Sequence, residues 1–139
     1  MINIVGQPGE RESPRHAEVS GDHLLLANDC LNEVLNGFYS PGLEQQLGVP
    51  PQQAEQLLTR VNDALVSQAV SIVLDVCNLV VIGHAVRLTI SELEEEFQTR
   101  TGFAVRQARL LDADIQAAIT ELEKQGKTGT SLDRSEPQN

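Results

Sequence analysis

The sequence predicts an all-α protein, a bundle of about five helices in one domain with two similar helical hairpins. Three observations carry that prediction. The most apolar stretch, Val61–Ile82, holds few polar residues, and Ser67, Ser71, Asp75 and Asn78 recur in it at spacings of four, four and three. Those spacings trace one narrow stripe on a helix, leaving the rest of its circumference apolar, as in a buried central helix or a dimer seam. Aromatic residues make up 3 % of the chain and Trp is absent, so the core is aliphatic, which suits helix packing. Finally, the chain echoes itself at a shift of 54 residues: Leu43 meets Phe97, Gly48 meets Gly102, and Gln53-Ala54 meets Gln107-Ala108. Leu57, Val61 and Leu65 likewise meet Leu111, Ile115 and Ile119. Each segment reads as a short helix, a glycine turn and a longer helix.

Taken in order, residues 1–20 combine Gly6, Pro8, Gly9 and Pro14 with mixed charge and read as a flexible arm, with a short strand at Ile2–Val5. Residues 21–125 are the helical domain. Its first helix starts near Asp22, an N-cap candidate, and ends at Gly37. Ser40-Pro41 opens a short helix that stops at Gly48, and a new helix starts near Pro51 and feeds into the apolar stretch. Unbroken from Pro51 to Ile82, that helix would be roughly 48 Å long, so a kink near Ser67–Ser71 is expected. The β-branched content of the stretch also admits strands broken near Asn78. Gly83-His84 marks a break, and Thr89-x-x-Glu92 and Ser91-x-x-Glu94 are capping boxes for a further helix ending at Gly102. The last helix runs from about Ala104 to Lys124 and stops at Gly126, leaving 126–139 as a disordered tail.

Composition narrows the partners. The 139 residues carry a net charge of −10. Between Ala17 and Val86 the only Lys or Arg is Arg60, among eight carboxylates. Nucleic acid is a poor partner for such a surface, because phosphate contacts need Lys and Arg. A basic protein suits it better. No apolar run reaches the roughly 18–20 residues of a membrane span, and Asp75 would lie at its centre. Cys30 and Cys77 lack metal-ligand spacing and read as free thiols, and the N-terminus lacks the charged start and apolar run of a signal peptide. A cytoplasmic protein without cofactor or metal is the expectation.

No nucleophile elbow, phosphate loop, dinucleotide fingerprint or HExxH occurs, and His16, His23 and His84 are scattered. The chain therefore reads as a binding module rather than an enzyme. Asn28, Asp29, Asn32, Glu33 and Asn36 form a polar face on the first helix, of which Asp29, Asn32 and Glu33 are candidate partner contacts. Glu92, Glu95 and Glu96 crowd the later helix start and are the other candidates. Asp75 calls for a partner if buried, and Arg87 is a candidate. LEQQLGVPPQQAEQLL (Leu43–Leu58) has the outline of a DNA-binding helix-turn-helix, but Glu44 replaces the usual small residue and the second helix offers little positive charge.

At LNEVLNG (Leu31–Gly37) and EFQTRTG (Glu96–Gly102) the chain resembles small acidic bacterial toxin-immunity proteins. The resemblance implies a cytoplasmic inhibitor that neutralises a cognate toxin by covering its active site, and the acidic charge makes a basic partner the expectation. The alternatives are a self-associating helical adaptor or secretion chaperone, dimerising through Val61–Ile82, and a helix-turn-helix regulator.

Overall fold

The described residues form six α-helices, one π turn, one 3-10 turn and three short strands. The computed structural model describes residues 2–5, 16–38 and 40–135, with side chains through residue 124. Strands β1 (Ile2–Val5) and β2 (His16–Ser20) are followed by α1 (Asp22–Asn32), whose end winds as a π turn over Glu33–Gly37. Then come α2 (Leu43–Leu47), α3 (Pro51–Val66), β3 (Ser71–Leu74) and α4 (Val76–Leu93). A 3-10 turn (Glu94–Glu96), α5 (Phe97–Thr101) and α6 (Val105–Ser135) complete the chain. The protein is predominantly helical, as expected, with a small sheet of order β1-β2-β3, both pairings antiparallel.

The expected central helix over Val61–Ile82 is instead three elements. Helix α3 stops at Val66, the chain turns through Gln68 at φ 63, and β3 occupies Ser71–Leu74 before α4 begins. The four polar residues each serve an element end. Ser67 Oγ donates to the Ala64 carbonyl at the close of α3, and Ser71 Oγ donates to Glu18 across the sheet. Asp75 is the N-cap of α4, accepting from the Asn78 N–H at 2.9 Å. It is exposed; the expected partner Arg87 pairs with Asp112 instead.

Further expectations give way, among them the helix start at Ser40-Pro41: α2 begins at Leu43, after Gly42 at φ 73. Gly83-His84 is no break: α4 runs through it, and a Cβ on the buried Gly83 would lie 3.3 Å from Gln116 Nε2 and 3.5 Å from Ile115 Cγ2. That glycine lets α4 and α6 approach closely. The capping boxes at Thr89 and Ser91 lie inside α4, where the buried Thr89 hydroxyl donates back to the Ala85 carbonyl at 2.7 Å. Finally, α6 passes Gly126 and reaches Ser135; residues 136–139 of the expected tail lie outside the described residues. The expected strand at Ile2–Val5 is present, and 16–20 of the expected arm is a strand too, whereas 6–15 lie outside the described residues. Gly21, not Asp22, caps α1, so Asp22 stands in the first turn, where the helix dipole favours its charge.

The 54-residue echo is structural. Helices α2 and α5 begin 54 residues apart, as do α3 and α6, and the intervening Gly48 (φ 82) and Gly102 (φ 80) hold the same left-handed turn. Ala54, Leu57 and Val61 are buried, and so are their counterparts Ala108, Leu111 and Ile115. The likeness extends upstream. At a shift of 55, the buried Leu24, Leu26, Ala27, Cys30, Leu31 and Val34 of the first helix fall on Leu79, Val81, Ile82, Ala85, Val86 and Thr89, all buried in α4. The change of shift from 55 to 54 is one extra residue in the first copy, and the π turn at Glu33–Gly37, which absorbs one residue into a helix, lies between. Each copy is thus strand, long helix, short helix, glycine, long helix. The two copies meet at the β2–β3 ladder, centred on Glu18↔Val73.

Candidate functional site

The first-helix acidic face is only partly available. Glu33 is buried, and Arg100 Nη2 of α5 donates to its Oε1 at 2.6 Å and to the Gly37 carbonyl at 3.0 Å. Asp29 is half-buried; burial pushes its carboxyl above the ordinary value, a hydrogen bond from Asn28 opposes this, and the Glu33 charge adds to it. The side-chain amide oxygen of Asn28 (Oδ1) is buried without a partner among the described residues. Asn32 is exposed and accepts from Asn36 at 3.0 Å.

The second acidic group is open. Glu92, Glu95 and Glu96 are exposed at the end of α4 and in the 3-10 turn, with Glu94 between them at φ 49. Glu92 therefore lies in the last turn of α4, where the dipole opposes its charge, rather than at the helix start expected for it, while Glu95 and Glu96 stand in the 3-10 turn just before α5, of which Glu96 is the N-cap. Arg100 follows one turn later in α5, so its bond to Glu33 ties the element after this acidic turn to the first-helix face.

Two grooves were not anticipated, and the repeat relates them. One, of about 490 Å³, lies between the first half of α3 and the start of α4, lined by Gln52, Gln53, Gln56, Arg60 and Asn78. The other, of about 220 Å³, lies between α6 and the start of α1, lined by His23, Leu26, Phe103, Gln107 and Leu110. Gln53 and Gln107 are counterparts, as are Gln56 and Leu110, and Asn78 and His23. The first groove presents more polar surface than the second, which is mostly apolar. In the second, His23 Nε2 is 2.8 Å from Asp114, whose counterpart in the first is Arg60. The Gln-Ala pair within the echo was the available sequence signal for both.

The remaining candidates are placed as follows. His84 Nδ1 donates to the Leu47 carbonyl at 2.9 Å, closing the C-terminal end of α2. Cys30 is buried, its thiol pushed up to about 12 chiefly by desolvation, and Cys77 is exposed. Among the described residues no group of three His, Cys, Asp or Glu gathers as a metal set. The helical span Val76–Thr101 is long and apolar enough to cross a membrane, but α4 here packs against α1 and α6. The α2–Gly48–α3 hairpin is a helix, a glycine turn and a helix; Gln52, Gln53, Gln56 and Arg60 are exposed on α3, and so are Glu55 and Asp63. No protein family, curated protein or solved structure matches the chain.

Proposed function

We propose that the chain is a non-catalytic, cytoplasmic protein-binding module that neutralises a basic partner through its acidic end, in the manner of a toxin-immunity protein. The observation that supports this is how charge is distributed between free and engaged groups. Arg60, Arg87 and Arg100 are each engaged within the chain, by the Val73 carbonyl, Asp112 and Glu33 respectively, whereas Arg106 and Arg109 are exposed on α6. Glu92, Glu95 and Glu96 face solvent. Such a field speeds encounter with a positive partner and weakens with salt. Asp29 and Asn32 are the contacts the first helix can add, while Glu33 acts by holding α5 in place.

The test is retention of a basic protein on immobilised chain at low and high salt, repeated with Glu92, Glu95 and Glu96 all changed to Lys. A stoichiometric partner released by salt and lost in the triple variant supports the reading. A partner indifferent to both sinks it.

A self-associating adaptor is the second reading, favoured by the exposed valines Val66, Val70 and Val73 within the Val61–Ile82 stretch. A DNA-binding regulator has less support, because the exposed face of α3 carries one cation, and that cation is engaged with Val73.

A further inference from the structure

The two copies of the repeat are not equally covered. Strand β1 pairs with β2 and packs on α6 of the other copy. Rotating about the centre of the β2–β3 ladder exchanges β2 with β3 and α6 with α3. The place equivalent to that of β1 is therefore the outer edge of β3, above α3. Among the described residues no strand occupies it, and β3 ends the sheet.

The surface there bears the marks of a missing cover. Ala118 and Ile119 of α6 are buried, but their counterparts in α3, Ala64 and Leu65, are only partly so. Of the five large apolar side chains exposed among the described residues, three flank this edge: Val66 at 74 %, Val70 at 85 % and Val73 at 41 %. Arg60, which reaches this edge, also lines the polar groove of α3. An edge strand invites pairing, and natural proteins guard it with charge. Here the guard is Arg60, whose Nη2 donates to the Val73 carbonyl at 3.0 Å. One exposed arginine is a removable guard.

We propose that the β3 edge is a docking site for a single extended segment of another polypeptide, added antiparallel to β3 as β1 is added to β2. The occupant has apolar residues at alternate positions, as Ile2 and Ile4 do in β1, and basic flanks, which complement a chain of net charge −10. A second copy's β3 does not fit. It would bring its own α3 beneath it, where the resident α3 already lies. The inference rests on the repeat and not on the acidic end, so it stands or falls separately from the triple Glu→Lys test.

The probe is the β1 sequence with lysine flanks, KKINIVKK, added to the full chain. Binding is read by fluorescence anisotropy, and its place by amide hydrogen exchange. The expected result is saturable binding with slowed exchange at Ser71–Leu74. A peptide N-methylated at alternate residues should bind about tenfold or more weakly, since main-chain hydrogen bonds supply the affinity in strand addition. Val70→Lys and Val73→Lys, at exposed positions where folding is kept and checked by circular dichroism, should each weaken binding severalfold. Absence of saturable binding overturns the proposal. So does binding that protects only the Gln53–Gln56 groove and leaves Ser71–Leu74 unchanged. A dimer by light scattering that Val73→Lys dissolves overturns it in favour of a second copy.

Discussion

Replacing Arg100 by alanine strips the buried Glu33 carboxylate of its counter-ion and the Gly37 carbonyl of a donor. The Glu33 side chain is 11 % exposed and that of Arg100 35 %. Breaking a fully buried pair costs about 3–5 kcal/mol, and an exposed pair contributes about 0–1 kcal/mol, so this half-covered pair should cost roughly 2 kcal/mol. In a domain of this size that is a fall in Tm of roughly 7 °C. Glu33→Gln keeps an acceptor 2.6 Å from Arg100 Nη2 but removes the charge, so Arg100→Ala made in that background should cost only about 1 kcal/mol. The assay is urea unfolding of the parent, both single variants and the double variant, read as a cycle. If Arg100→Ala changes stability by less than about 0.5 kcal/mol, or costs the same in both backgrounds, the ion pair does not hold α5 to the first helix. The result also decides how Glu33 variants are interpreted in binding assays. Loss of binding on Glu33→Lys would report a displaced α5 before it reported a lost contact.

Other measurements test separate parts of the structure. Alkylation of the native chain should modify Cys77 alone, with Cys30 reacting only on unfolding, because a buried thiol raised to about 12 is not a thiolate at neutral pH; equal labelling of both would refute the packing of α1. Burial holds the Asp29 carboxyl above its unfolded value, so its ionisation opposes folding, and this penalty fades as pH falls through the carboxylate range. Asp29→Asn should therefore raise Tm at pH 7 and lose that advantage towards pH 4, the opposite of a variant that removes a salt bridge. At Gly102, with φ 80 and nothing within 4 Å of an added Cβ, alanine should cost about 1 kcal/mol through the backbone alone, and asparagine less. Gly48→Ala should show a matching cost in urea, since its turn is the same; a neutral result at either glycine would break the equivalence of the hairpins.

The two hairpins were readable because their signal is local: a glycine where the chain must turn left-handed, with apolar residues at helical spacing on either side. What hid β3 was a coincidence of spacing. Ser67, Ser71, Asp75 and Asn78 stand four, four and three apart because a helix end, a strand start and a cap follow each other closely, and a helix stripe has the same intervals. The β-branched Val70, Ile72 and Val73 were the competing strand signal. Gly83 was misread as punctuation since its role, the close passage of α4 over α6, depends on Ile115 and Gln116, which no window around residue 83 contains. The same limit applies to Glu33. Its face on the first helix is plain, but Arg100, which engages it, is 67 residues away. Of the candidate contacts, Glu92, Glu95 and Glu96 could be judged exposed from their own neighbourhood, whereas Glu33 could not.

The β2–β3 ladder also sets a timetable for the newborn chain. Strand β2 can pair with β1 at once, yet its other edge waits for β3, because Ser20 pairs with Ser71 and Ala17 with Leu74. About 50 residues must leave the ribosome between them, which takes on the order of 3–10 s at roughly 5–20 residues per second. Through that interval the first copy of the repeat stands complete but unmatched, with Ala17 and Val19, both destined for the core, lying in a half-built sheet. Synthesis of this protein therefore passes through a stage in which the N-terminal half must stay soluble before the C-terminal half closes over it.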